Sequence, residues 1–161
     1  MIDRPLFIPF VLLAVSAAVL GGAYSFQYLG GLHPCTLCLY QRWPWWIAGG
    51  LAILAMLYVR NRDLARVCLG LGALAVLVGM GVAVYHVGVE QQWWAGPTAC
   101  NGTADAPKTL EALRAQIMAA PIVRCDEIPW SLFGISMAGY NAMISLATGI
   151  FVLSLLRRNS R

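Results

Sequence analysis

The sequence predicts an all-α, polytopic membrane protein: one bundle of four transmembrane helices, with a long second outer loop carrying a short amphipathic helix. Three observations predict it. The 161 residues are 60% hydrophobic and only 11% charged, against about 45–50% apolar and about 25% charged in a typical soluble domain. Four apolar runs, free of charge along most of their length, are each about long enough to cross a bilayer. The basic residues gather in segments that four crossings would place on one side. The net charge of +4 is modest, and nothing in the pattern points to nucleic acid.

The first span is expected at about residues 8–28. It follows Arg4, and it is too long for a signal-peptide core and has no small-x-small cleavage site before a polar start, so it reads as a retained helix. Gly30 and Gly31 end it, and residues 29–42 form the first outer loop, with His33, Pro34 and two cysteines. Trp43-Pro44-Trp45-Trp46 is an aromatic cluster suited to a membrane interface and opens the second span, about 43–59. Pro44 either kinks that helix or sits in its first turn.

Residues 60–66 read as a short basic loop. The third span, about 67–86, holds Gly70, Gly72, Gly79 and Gly81, small residues that allow close helix packing in lipid. His86, Glu90 and Trp93-Trp94 mark its far interface. The second outer loop, 87–131, is broken by Pro97, Pro107, Pro121 and Pro129 and contains Cys100 and Cys125. Within it, Leu110, Leu113, Ile117 and Met118 recur at helical spacing, predicting a short amphipathic helix on the membrane surface or on the loop's own core. The fourth span is expected at 132–156, followed by the basic tail 157–161.

Four crossings put residues 1–7, 60–66 and 157–161 on one side, with Arg4, Arg60, Arg62, Arg66, Arg157, Arg158 and Arg161. Cytoplasmic segments carry such an excess of Arg and Lys, so both termini are expected inside and both cysteine-bearing loops outside. Disulfides persist there. Cys68, near the inner end of the third span, reads as a buried free thiol packing as a small hydrophobe.

The chemistry concentrates in Pro34-Cys35-Thr36-Leu37-Cys38-Leu39-Tyr40-Gln41-Arg42. A Cys-x-x-Cys pair does redox work, binds metal or staples a turn. If the stretch is helical, Arg42 shares a face with Cys38 at i, i+4, where a guanidinium would favour a Cys38 thiolate. The second pair of cysteines, Cys100 and Cys125, sits in a long loop open to a protein thiol, whereas the tight pair sits at the bilayer rim within reach of a lipid-soluble acceptor. Thiol–disulfide exchange can connect two such pairs. A four-thiolate zinc site fits poorly, because Cys100 and Cys125 are far apart in sequence and the compartment is oxidising. No metal is therefore expected. His86, at the outer end of the third span, can donate a hydrogen bond to a quinone carbonyl, and Arg42 can serve both a thiolate and a reduced, anionic acceptor.

Taken together, the Pro34–Arg42 block, the four spans, the long loop with Cys100 and Cys125, and Ile128-Pro129-Trp130-Ser131-Leu132-Phe133-Gly134 before the last span resemble the disulfide bond formation protein B family. Those are bacterial inner-membrane oxidases of periplasmic thiols. The resemblance implies that a periplasmic, thioredoxin-like dithiol oxidase (a DsbA-like partner) attacks a Cys100–Cys125 disulfide, with Cys100 forming the mixed disulfide. Electrons then pass to Cys35–Cys38 and, from Cys38, to a quinone, either ubiquinone or menaquinone. Arg42 matches the family's quinone-site arginine and His86 a nearby family histidine. Gln41 stands where members often carry an acid, which weakens any carboxylate role there. The competing class is a membrane scaffold or transporter subunit with structural disulfides, disfavoured because no span carries an ionisable residue near its middle. A four-helix thiol enzyme of the vitamin K epoxide reductase type would place its Cys-x-x-Cys at the last helix, not before the second.

Overall fold

The computed structural model describes residues 4–97, 109–111, 114 and 124–158. Its elements are α1 (Arg4–Tyr28), α2 (Thr36–Tyr40), α3 (Arg42–Leu57), α4 (Arg62–Glu90), β1 (Ser131–Leu132), β2 (Ile135–Ser136) and α5 (Met137–Arg158). Cys100, Leu113, Ile117 and Met118 lie outside the described residues, so the expected amphipathic helix does too, apart from fragments.

Among the described residues, three helices are long and apolar enough to cross a bilayer: Leu6–Tyr28, Arg62–Glu90 and Met137–Arg158. Helix α3 has 16 residues, about 24 Å at 1.5 Å per residue. Much of the apolar surface points outward, including Leu71, Leu74, Val78 and Ile150. An interior stripe does the packing: Leu12 from α1, Trp45, Ala48 and Ala52 from α3, Ala73 and Val76 from α4, and Val152 from α5. Chains of small residues let the helices approach closely, which in lipid replaces hydrophobic driving force as the source of association.

Arg42 meets Gln27 and Gly49 meets Ser16; Pro44 meets Gly79 and Ala48 meets Gly72; Glu90 meets Ser136 and Leu77 meets Gly149. Neighbouring helices therefore run antiparallel, and the starts of α1 and α4 share an end with the finishes of α3 and α5. Helix α4 opens with Asn61, whose side chain accepts from the Leu64 amide at 3.2 Å. Arg157 and Arg158 occupy the last turn of α5, where cations favour the helix dipole. Pro44 lies in the first turn of α3, which tolerates it.

The structure departs from the sequence reading in three places. Of the four glycines expected to pack, a Cβ on Gly72 would meet Leu12 at 3.1 Å and one on Gly79 would meet Pro44 at 2.9 Å, whereas Gly70 and Gly81 face open space. The basic stretch 60–66 is mostly helix, because the Asn61 cap starts α4 at Arg62. The last helix begins at Met137 rather than near Leu132. Residues 131–136 instead form a hairpin pairing Ser131 with Ser136 and Leu132 with Ile135. Phe133 (φ 52°) and Gly134 (φ 76°) make its turn, the pair of positive φ angles that the type I′ form of a two-residue hairpin loop requires.

Candidate active site at the cysteine end of the bundle

Cys35 caps the short helix α2. Its Sγ accepts from the Cys38 backbone N–H at 3.3 Å, and the two sulfurs lie 2.8 Å apart as free thiols. Cys35 is buried, together with Leu37, Val89 and Cys125, in a small apolar cluster against which Cys38 packs. Cys125 is disulfide-bonded and fully buried. Beside it, Arg124 donates to both carboxylate oxygens of Asp126, at 2.6 and 2.9 Å, an exposed clasp on the strand of loop that delivers Cys125.

The two thiols are strongly unlike. The Cys38 thiol donates to Cys35, and this, with His86 facing it and despite burial, pulls Cys35 down from 9.0 to about 5. Cys38 is pushed far up, by giving that hydrogen bond, by burial and by the charge on Cys35. The sequence assigned the thiolate to Cys38 through Arg42. The structure assigns it to Cys35. Arg42 instead donates to Gln27 Oε1 at 2.7 Å and lies 4.8 Å from the centre of the Tyr24 ring, both on α1. A neutral Cys38 offers a guanidinium no charge, whereas α1 offers a carbonyl and an aromatic face.

His86 lies one turn inside the end of α4 and is buried. Its Nε2 is 3.6 Å from Cys35 Sγ and 3.9 Å from Glu90 Oε1. Its Nδ1 is 2.7 Å from Gln41 Nε2. Gln41 Oε1 accepts from Asn141 Nδ2 at 2.7 Å, and Asn141 Oδ1 accepts from Trp45 Nε1 at 2.8 Å. Glu90 is also buried, and accepts from the Ser136 hydroxyl on β2. Among the described residues, no buried side-chain nitrogen or oxygen lacks a partner. Cys35, Cys38 and His86 place their ligand atoms within 4.8 Å of one another, three of the four donors that a structural zinc takes.

These groups close one end of a cavity of about 540 Å³. Its polar end is Cys38, Gln41, Arg42, His86, Glu90 and Asn141. Its walls are apolar: Val15, Val19 and Phe26 of α1, Met137 and Ile144 of α5, and Trp130 ahead of the hairpin. Trp130 stands between Phe26 (ring centres 5.0 Å apart) and Tyr140 (6.3 Å), tying α1 to α5. Of the residues expected from sequence, Cys35, Cys38, Cys125, Arg42 and His86 come together here, and Cys100 lies outside the described residues. Sequence reasoning missed Glu90 and Asn141 as members, and saw Gln41 only as a lost acid.

The family model for the disulfide bond formation protein DsbB matches residues 5–155. The chain belongs to the DsbB family. It is 29% identical over 157 residues to disulfide bond formation protein B of Haemophilus influenzae, covering 93% of this chain and 84% of that one. A protein of the same name from Azoarcus is 28% identical, over 95% and 92%. An uncharacterised Rickettsia prowazekii protein is 26% identical, over 93% and 87%. No solved structure matches. As a DsbB, the chain is a multi-pass membrane protein-disulfide oxidoreductase of a family that reoxidises DsbA through cysteine pairs and generally uses quinone.

Proposed function

We propose that this DsbB oxidises a periplasmic, thioredoxin-like dithiol partner through a Cys100–Cys125 disulfide, passes the electrons to Cys35–Cys38, and delivers them to ubiquinone or menaquinone in the cavity. One observation carries the reading. Bonded Cys125, low-pKa Cys35 and cavity-lining Cys38 follow one another through a single buried cluster.

Each step balances. The partner's two thiols become a disulfide as Cys100 and Cys125 become thiols, Cys100 being the sulfur attacked, since fully buried Cys125 is shielded from a partner's thiolate. The Cys125 thiolate then attacks Cys35 of an oxidised Cys35–Cys38 pair, Cys38 leaves, and attack of Cys100 on the Cys35–Cys125 bond restores the loop disulfide with Cys35 and Cys38 reduced. A group such as Cys35, stable as a thiolate, is a good leaving group in that last exchange.

The donor set fits a quinone: an apolar chamber suits a prenylated ring, and N–H donors at one end suit its carbonyl oxygens. A bound quinone supplies an acceptor for two electrons and two protons. Arg42 and His86 would hold it, Cys38 facing the same chamber. Arg42 adds a fixed positive charge, and the apolar walls exclude water. With both termini cytoplasmic, as the shared arginine-rich end supports, this chamber opens at periplasmic depth.

The test is catalysis by purified protein, with a reduced dithiol partner and a quinone. Quinone reduction is expected, and to be lost in Cys38→Ser and in Cys100→Ser. Unchanged turnover in either variant would overturn the relay through that cysteine, and no quinone reduction by the unsubstituted protein would favour a scaffold with inert disulfides.

A further inference from the structure

The hydrogen bonds behind His86 have a direction. An indole nitrogen only donates, so at the Trp45 end Asn141 must present Oδ1, as it does at 2.8 Å. Its Nδ2 then points at Gln41, which must present Oε1, at 2.7 Å. Gln41 is left with Nε2 toward His86 Nδ1, also 2.7 Å. A donor there needs an acceptor, so Nδ1 carries a lone pair. The ring's proton therefore sits on Nε2, the nitrogen 3.6 Å from Cys35 Sγ.

From this we infer that Trp45, Asn141 and Gln41 are positioning residues that fix the tautomer of neutral His86, so that it offers an Nε2–H to Cys35. The chain crosses three helices, and three of its four members are shielded from water: Trp45 is 1% exposed, Gln41 6% and His86 3%, while Asn141 is half-buried. Ser145 Oγ reaches Asn141 Oδ1 at 3.5 Å as a second donor, consistent with that atom being the acceptor. The charged and titratable groups facing His86 are Cys35 and Cys38 from α2 and Glu90 from α4 itself, with Arg42 on the same cavity. From α5 only the Asn141 amide reaches it, through Gln41.

The chemistry also defines the opposite case. A carboxylate at position 41 only accepts, and would draw the proton to Nδ1, leaving the lone pair of a neutral ring facing the sulfur. Gln41 is thus the residue that sets the sense of the chain. The functional meaning rests on Cys35 being an exchanging sulfur, but the tautomer is read without turnover, so the two can fail separately.

The experiment uses full-length, reduced, quinone-free protein in detergent micelles with ¹⁵N-labelled histidine. The signals of His33 and His86 are separated with a His33→Gln variant, and long-range ¹H–¹⁵N correlations are recorded at pH 8. The nitrogen coupled to both ring C–H protons is Nε2. It is expected to show the protonated-type shift, and Nδ1 the unprotonated one. Trp45→Phe should give a mixture of both tautomers. Gln41→Glu should move the protonated-type shift onto Nδ1. An Nδ1–H in the unsubstituted protein overturns the inference, as does a Gln41→Glu protein that keeps the proton on Nε2 alone. If Trp45→Phe does not fold, Gln41→Glu still decides.

Discussion

Cys35 Sγ and His86 Nε2 lie 3.6 Å apart although 51 residues separate them in the chain. The pairing joins the cap of a five-residue helix to the last turns of α4, and sets an imidazole against a sulfur of the Cys-x-x-Cys pair.

The first consequence is a pH profile. Cys35 is held down to about 5, chiefly by the Cys38 thiol and then by His86, so its thiolate persists above that pH and is lost only below it. In the reduced protein, alkylation of Cys35 should be half-maximal near pH 5 and complete at pH 7, with Cys38 unreactive. His86→Phe should move that midpoint upward. Mass spectrometry of alkylated peptides reads both. Preferential labelling of Cys38 at pH 7 would contradict the assignment.

Arg42→Ala removes a charged donor to Gln27 and the cation over Tyr24 at one wall of the cavity. The quinone KM is expected to rise roughly tenfold, equivalent to about 1.4 kcal/mol. Exchange between partner and loop should be unaffected. Stopped-flow mixing with reduced partner, without quinone, checks the second half. Slowed exchange there would show that Arg42 acts beyond the cavity.

Ser136→Ala leaves the buried Glu90 carboxylate without its hydroxyl donor and the Gly139 amide without the acceptor it reaches at 3.2 Å. The loss should be about 1–3 kcal/mol, seen as a lower melting temperature in detergent. Glu90→Gln in the same background should recover part of it, since an amide is less costly to bury than an under-bonded carboxylate. No recovery would show that the charge itself is not what Ser136 supports.

Gly149→Val tests the contact between α4 and α5. A Cβ at Gly149 would stand 2.5 Å from Leu77 Cδ2 and 2.6 Å from its Cγ, so the substitution should cost about 1–3 kcal/mol by overpacking. Cys68→Ala, in the core between helices, should cost about 1 kcal/mol and leave turnover unchanged.

Much of this was legible in the chain itself. The apolar runs, the Cys-x-x-Cys and the outer aromatic cluster are local signals, and they located the helical architecture and the end of the bundle where the described cysteines of the site gather. What stayed hidden is what crosses between elements. Gln41 and Asn141 are 100 residues apart, and no spacing rule pairs them. Arg42 was read through the one neighbour that helix periodicity supplies, Cys38, while its partners Gln27 and Tyr24 are on another helix. Ser131-Leu132-Phe133-Gly134-Ile135-Ser136 reads as the start of an apolar run. Only Gly134 hinted at a turn, and its neighbour Phe133 adopts a positive φ that its side chain gave no reason to expect.

The sulfur of Cys35 is also the acceptor that ends α2, taking the Cys38 amide at 3.3 Å. In the proposed relay, a covalent partner for that sulfur would compete with the amide it caps, in a helix of only one turn. Exchange at Cys35 in that relay therefore acts on the same atom that caps this turn, which links the redox state of the pair to the order of its helix.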